Sequence, residues 1–180
     1  MNIIVNPHGK ELCYCRPDTT GEKDGRDLYV PEGVDKILWA PVIYAKVCKA
    51  GKCVSPKFVT RYYDTVGFGA LIYGDDENIA FSSCMDHSSL MPVPSLNPNV
   101  FETENGSFTV SDLNFITKPD MQAALEKAVC RSSERISLRI GDIVAVELTE
   151  LQVLAERSEG EKALKAEFDG ECLFDVKVIF

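Results

Sequence analysis

Nucleophile, base and acid types crowd together in one stretch of this chain, Cys84-Met85-Asp86-His87-Ser88. An imidazole at His87 stands there beside a thiol at Cys84, a hydroxyl at Ser88 and a carboxylate at Asp86, the types used in nucleophilic catalysis with histidine as base. Residues this close along a chain do not converge easily. A turn whose polar side chains bind nearby backbone is the plainer reading. A second candidate is the acidic run Asp75-Asp76-Glu77, which with Asp86 offers oxygen ligands to a hard cation but has the composition of a solvated loop. The seven cysteines, Cys13, Cys15, Cys48, Cys53, Cys84, Cys130 and Cys172, include no Cys-x-x-Cys pair and no histidine at zinc-finger spacing. They read as reduced thiols serving as small core residues, with Cys13 and Cys15 placed to share one strand face.

The elements that must position these groups are organised around residues 36 to 76. Ile37 to Val47 is apolar, β-branched and aromatic, and reads as a buried strand; Arg61 to Tyr73 reads as the next strand with its lead-in. Between Lys36 and Tyr63 there is no Asp or Glu, in a chain holding 28 of them among 180 residues. Leu12 to Cys15 and Leu28 to Val30 are short strands, and Ser55 to Asp64 holds a short helix feeding the strand after it. Gly67 and Gly69 suggest a bulge or a close backbone approach. Met91 to Pro98, with three prolines, runs extended along a surface or edge. Asn105-Gly106 signals a hairpin between Val100–Glu104 and Ser107–Val110. Thr117 with Asp120 resembles a capping box, and Met121, Ala124, Leu125, Ala128 and Val129 recur at helical spacing, giving a helix of about three to four turns. Leu138 to Leu148 is a strand, and Ala163–Phe168 pairs with Leu173–Phe180 across Asp169-Gly170.

Many short strands, few helices and hairpin-length loops predict a β-rich α+β fold, a roll or sandwich. The length suits one domain over residues 1–180. A net charge of −9, with no clustered basic stripe, argues against nucleic acid as a partner. Met1 to Val5 is too short an apolar run for a signal peptide, and no later run reaches membrane-spanning length. A cytoplasmic protein without a membrane partner is expected.

The order Arg16-Pro-Asp-Thr, Val30-Pro31, apolar strand, Gly51-Lys52, Arg61-Tyr-Tyr-Asp-x-x-Gly-x-Gly, Met85-Asp-x-Ser88, Asn105-Gly106, helix, Ser137-Leu-Arg-x-Gly-Asp-Ile143 and Gly-Glu-x-Leu-Phe-Asp-x-Lys177 resembles the fumarylacetoacetate hydrolase family. It is similar to the short single-domain branch acting on small 2-oxo acids. The resemblance implies a mixed β-roll or sandwich of the family's C-terminal-domain type, a homodimer, a small organic acid as ligand, and hydrolysis, isomerisation or decarboxylation at Mg or Mn. The family holds that metal with Glu-x-Glu on one strand and Asp on the next. Those positions fall here at Ala40, Val42 and Leu71, none of which ligates a metal, and the acid-free interval leaves no register of that strand that restores a carboxylate. The family's lysine ahead of Phe-Asp falls at Ser83, and its Thr-Gly-Thr-Pro loop at Ala145-Val-Glu-Leu148. His8-Gly-Lys-Glu11 matches the family's His-x-x-Glu dyad, in which histidine and carboxylate activate a water. The expectation is a protein without a metal cofactor that is catalytically silent and acts as a homodimeric binding or structural module. The alternative is an enzyme of the same substrate class with a changed mechanism.

Overall fold

The computed structural model describes residues 1–93 and 95–180. The strands in chain order are β1 (Ile3–Asn6), β2 (Tyr14–Arg16), β3 (Gly21–Glu22), β4 (Leu28–Tyr29), β5 (Lys36–Val47), β6 (Tyr63–Gly74), β7 (Ser89–Leu90), β8 (Ser107–Val110), β9 (Leu113–Ile116), β10 (Ile143–Glu147), β11 (Gln152–Glu156), β12 (Glu161–Phe168) and β13 (Glu171–Ile179). Among the described residues two α-helices join them, the short α1 (Ile79–Ser82) and the long α2 (Pro119–Arg135). The strands form two mixed sheets. The larger runs β2-β1-β10-β5-β6-β7-β3, with β11 also on β5; the smaller runs β4-β13-β12-β8-β9. Parallel pairs occur at β1–β10, β3–β7 and β4–β13, and the remaining pairs are antiparallel. This is the strand-rich α+β architecture expected.

The long strands β5 and β6 form the spine. They pair from Ile37 with Gly74 to Lys46 with Thr65, then slip by one residue at Val47. Both faces of this ribbon are covered, which is why its sequence is almost continuously apolar instead of alternating. On one face a large core packs against the smaller sheet and α2. Its centre is Phe68, whose ring lies 4.8 Å from each of Phe108 and Phe168, tying β6 to β8 and β12. Helix α2 contributes Met121, Leu125, Ala128 and Val129, while Ala124 is exposed. On the other face a smaller apolar cluster gathers Ile3, Val5, Val42, Tyr44, Leu71, Tyr73, Ile143 and Ala145.

Several local expectations need correction. The hairpin near Asn105-Gly106 is instead β8–β9, turning at Ser111-Asp112 with Ser111 at φ 50°, and Pro98–Phe101 is a 3-10 turn where a strand was expected. Gly106 is held by packing, because a Cβ there would meet Phe168 and Thr117. Its N–H donates to the Thr117 hydroxyl at 3.0 Å, and that hydroxyl donates onward to the Thr103 carbonyl. Thr117 is therefore committed to the loop, and Lys118 caps α2 without a side-chain bond. The strand expected from Leu138 shortens to β10, since Leu138 instead bridges to Gly51. None of the seven cysteines is buried; Cys15, Cys53 and Cys172 are exposed and the others half-buried. Gly67 and Gly69 sit in regular register, where close approach explains them. A Cβ at Gly67 would strike the Tyr44 ring, and one at Gly69 the Leu90 carbonyl. In the proline-rich stretch Leu96 bridges to Val66 and Pro98 opens the 3-10 turn, while Pro94 lies outside the described residues.

Candidate functional site

Alternate residues of a strand share a face, and a directly opposite partner shares it too. Ala40 and Val42 on β5 therefore point with Leu71, which pairs with Ala40 across the β5–β6 ladder. The three expected ligand positions do come together. Each is 0 % exposed, and Val42 and Leu71 belong to the smaller apolar cluster. A divalent ion such as Mg or Mn needs oxygen donors, and these side chains supply none. Among the described residues no group of three or more His, Cys, Asp or Glu side chains is gathered closely enough to hold a metal ion. The residues at this place do not fit the metal that the resemblance implies.

What the same face does hold is a buried polar network that sequence reasoning missed. Glu147 is directly across from Val42 on β10 and is only 5 % exposed. The Tyr73 hydroxyl donates to its Oε1, the His8 N–H donates to its Oε2 at 3.1 Å, and the Tyr14 and Tyr73 hydroxyls are 2.7 Å apart. Arg16, 2 % exposed, stacks with its Cζ 4.8 Å from the centre of the Tyr73 ring. Its guanidinium donates to the Ser83 carbonyl at 2.8 Å, the Ile72 carbonyl at 2.6 Å and the Ser88 hydroxyl at 2.8 Å. Burial raises the Glu147 carboxyl above its ordinary value, and the bonds from Tyr73 and His8 offset this only in part. Burial pushes the Tyr14 phenol up to about 12, and burial with the nearby Glu147 charge holds the Tyr73 phenol well above its usual range. The one signal in the sequence was an acid inside an otherwise apolar strand, Ala145-Val-Glu147-Leu.

Two cavities flank Glu147. The first, about 570 Å³, lies between the turn at residues 7–11, the start of α2 and the end of β10, and is lined by Lys10, Lys118, Lys127 and Arg131 together with Glu11 and Asp120. Asn6 also lines it; the amide is 3 % exposed, and its Oδ1 has no partner while its Nδ2 donates to Ser132. The second, about 540 Å³, is walled by Tyr14, Leu38, Gly74 and Ile79 and rimmed by Asp76, Glu77 and Glu150. Pro7, His8, Lys10 and Glu147 border both.

The other candidates are placed as follows. His8 and Glu11 are exposed on the rim of the first cavity, with Glu11 paired to Arg131 at 3.6 Å and Lys127 at 3.8 Å. The cluster at 84–88 does not converge. The His87 ring is bound to Glu22 at 2.7 Å; the Ser88 hydroxyl donates to the Met85 carbonyl and accepts from Arg16; the Cys84 thiol donates to the Phe81 carbonyl; Asp86 is exposed. Burial alone would raise the Glu22 carboxyl, but backbone N–H bonds from Asp24 and Arg26 and the His87 contact leave it below its ordinary value. Asp75, Asp76 and Glu77 are exposed in a loop where Asp76 accepts from the Asn78 N–H at 2.6 Å.

Two mixed sheets with one long helix are an arrangement that solved structures share. A fumarylacetoacetate hydrolase family protein of Yersinia pestis superposes with TM-score 0.78 at 14% identity, covering 99% of this chain and 92% of its own. This is the fumarylacetoacetate hydrolase fold. The same fold appears in the fumarylpyruvate hydrolase of Pseudomonas aeruginosa, solved with Mn2+ and pyruvate, at TM-score 0.78 and 12% identity over 100% of this chain and 90% of that one. The 5-carboxymethyl-2-hydroxymuconate delta-isomerase of Mycobacterium smegmatis matches at TM-score 0.75 and 11% identity, over 99% and 78%. No protein-family model and no curated protein sequence matches the chain. Among the described residues no helix is long and apolar enough to cross a membrane.

Proposed function

We propose that residues 1–180 form one fumarylacetoacetate hydrolase-fold domain that has given up divalent-metal chemistry and acts in the cytoplasm as a homodimeric binding module for a small organic acid. The observation that supports this is the triad Ala40, Val42 and Leu71, facing one another with no exposure and no oxygen atom among their side chains. Three carboxylates there without a cation would repel one another and be desolvated, whereas hydrocarbon closes the space as ordinary core. The first cavity supports the ligand class, since its cations Lys10, Lys118, Lys127 and Arg131 outnumber the acids Glu11, Asp120 and Glu147 in its lining. Pyruvate and Mn2+ bind the Pseudomonas fumarylpyruvate hydrolase together; in this chain the acid is expected to bind without the ion.

The test is thermal denaturation with MgCl2, MnCl2 and sodium pyruvate, each alone and combined. Stabilisation by pyruvate that needs no metal, reversed by Lys10→Glu or Arg131→Glu, is expected. Stabilisation by Mn2+ that pyruvate deepens would overturn the proposal and restore the metal-dependent reading. Sedimentation velocity checks the dimer. A second reading, an enzyme of changed mechanism, is favoured by one observation, the buried carboxyl and phenol chain beside the second cavity.

A further inference from the structure

We propose that Tyr14, Tyr73 and Glu147 form a proton relay that binds the oxygen of an uncharged phenol or enol in the second cavity, with Tyr14 as the group that touches the ligand. This goes beyond the binding of an organic acid in the first cavity and holds whether or not that occurs.

The oxygens stand in a fixed order. Glu147 is buried, Tyr73 is fully buried between it and Tyr14, and Tyr14 is half-buried in the wall of the second cavity. Glu147 is the more enclosed end of the row, although it also borders both cavities, and Tyr14 is the more exposed end. At the enclosed end, the His8 N–H occupies Oε2 of Glu147, leaving Oε1 to exchange a proton with Tyr73. With Glu147 ionised, Tyr14 donates to Tyr73 and Tyr73 to Glu147, and the Tyr14 oxygen offers a lone pair to a hydroxyl in the cavity. With Glu147 protonated every bond reverses, and the Tyr14 O–H points outward as a donor to an oxyanion. The two states differ by one proton shift along the row. The ligand O–H breaks and gives its proton to Tyr14, Tyr14 gives its own to Tyr73, Tyr73 gives its own to Oε1 of Glu147, and the negative charge moves from Glu147 to the ligand oxygen. No metal, oxidant or second reactant is needed.

The surroundings support this use. Arg16 lies over the Tyr73 ring and stabilises negative charge anywhere along the row. Because the phenols hold their protons tightly and the carboxyl is the easiest of the three groups to ionise, the row titrates at Glu147. Donors already fixed in a low-dielectric wall favour an oxygen on which charge develops. The lining sets Asp76, Glu77 and Glu150 against the single cation Lys10, an acidic excess that disfavours a carboxylate and leaves an uncharged enol or phenol as the better occupant.

The experiment is isothermal titration calorimetry of the purified protein with 4-cresol, 4-chlorophenol and 4-nitrophenol at pH 6. Affinity should rise with phenol acidity, 4-nitrophenol binding about tenfold tighter than 4-cresol. In Tyr14→Phe the 4-nitrophenol affinity should fall at least about tenfold and the dependence on acidity should vanish. Glu147→Gln should still bind the phenols but with no such dependence, because an amide cannot take the proton. Circular dichroism confirms that each variant is folded. Unchanged phenol binding in folded Tyr14→Phe, an acidity dependence that survives Glu147→Gln, or no saturable phenol binding by the wild type would each overturn the relay. Pyruvate binding is measured on the same samples and reports separately on the first cavity.

Discussion

Leu71 offers a direct test of whether the face beneath the second cavity is dry hydrocarbon. Its side chain is fully buried, paired with Ala40 on β5 and Ser89 on β7. Leu71→Ala removes buried methyl groups and leaves a void, costing about 3 kcal/mol. Leu71→Asp loses similar packing and also buries a carboxylate. A fully buried carboxyl shifts upward by roughly 3 to 5 pH units, and because it takes up a proton once its folded pKa exceeds the pH, the added cost at pH 7.5 reaches about 4 to 5 kcal/mol. The sign makes the test selective. The folded pKa of this new acid lies above its unfolded value, so the added penalty is absent below the unfolded pKa and grows as pH rises through the folded one. Urea denaturation at pH 4.5 and pH 7.5 measures both variants, using midpoints because a domain of this size has only about 5 to 15 kcal/mol to lose. The expected result is two variants of comparable stability at pH 4.5 and a much weaker Asp variant at pH 7.5. If Leu71→Asp is no worse than Leu71→Ala at pH 7.5, and Mn2+ stabilises it, the face is a hydrated cation site and the reasoning fails.

Four further changes should behave as follows. Arg16→Ala strands the Ser83 and Ile72 carbonyls in the core and should cost several kcal/mol, about 1 to 3 for each, with Arg16→Lys recovering only part because an ammonium cannot reproduce the planar fork; chemical denaturation measures both. Gly69→Ala drives a Cβ into the Leu90 carbonyl and should destabilise the β6–β7 edge by about 1 to 3 kcal/mol or prevent folding, read by thermal melts. His8→Ala should leave stability within about 0.5 kcal/mol of wild type, since it is the backbone N–H that meets Glu147 and the residue is exposed. Glu147, beside Arg16, Lys10, Tyr14 and Tyr73, has a folded pKa raised above 4.5, so its contribution is fully present below that value and is lost as pH rises through the folded pKa. Glu147→Gln should flatten that part of the stability profile, and an unchanged slope in urea midpoints against pH would count against a protonating carboxyl there.

Much of the architecture was legible because it is written in local patterns. The β-branched and aromatic runs at 37–47 and 61–73 read as strands, and Asp169-Gly170 turns β12 into β13 with φ values of 51° and 82°, as such a pair should. The last strand alternates, with Phe174, Val176 and Val178 buried and Asp175 and Lys177 exposed. Where the pattern misled, a distant partner had intervened. Asn105-Gly106 has hairpin chemistry, but Thr117 takes the Gly106 N–H and Phe168 closes over the glycine, so the turn moved to Ser111-Asp112. Thr117 has capping chemistry and spends its hydroxyl on that same loop.

The sequence by itself determined that no carboxylate stands between Lys36 and Tyr63, because composition needs no folding to be true. It could not decide what replaced the oxygen ligands. Tyr14, Tyr73 and Glu147 lie 59 and 74 residues apart along the chain, and their one connected row of oxygens exists because β2, β6 and β10 are laid into a single sheet. A hydrogen bond depends on distance in space, which only the folded chain sets.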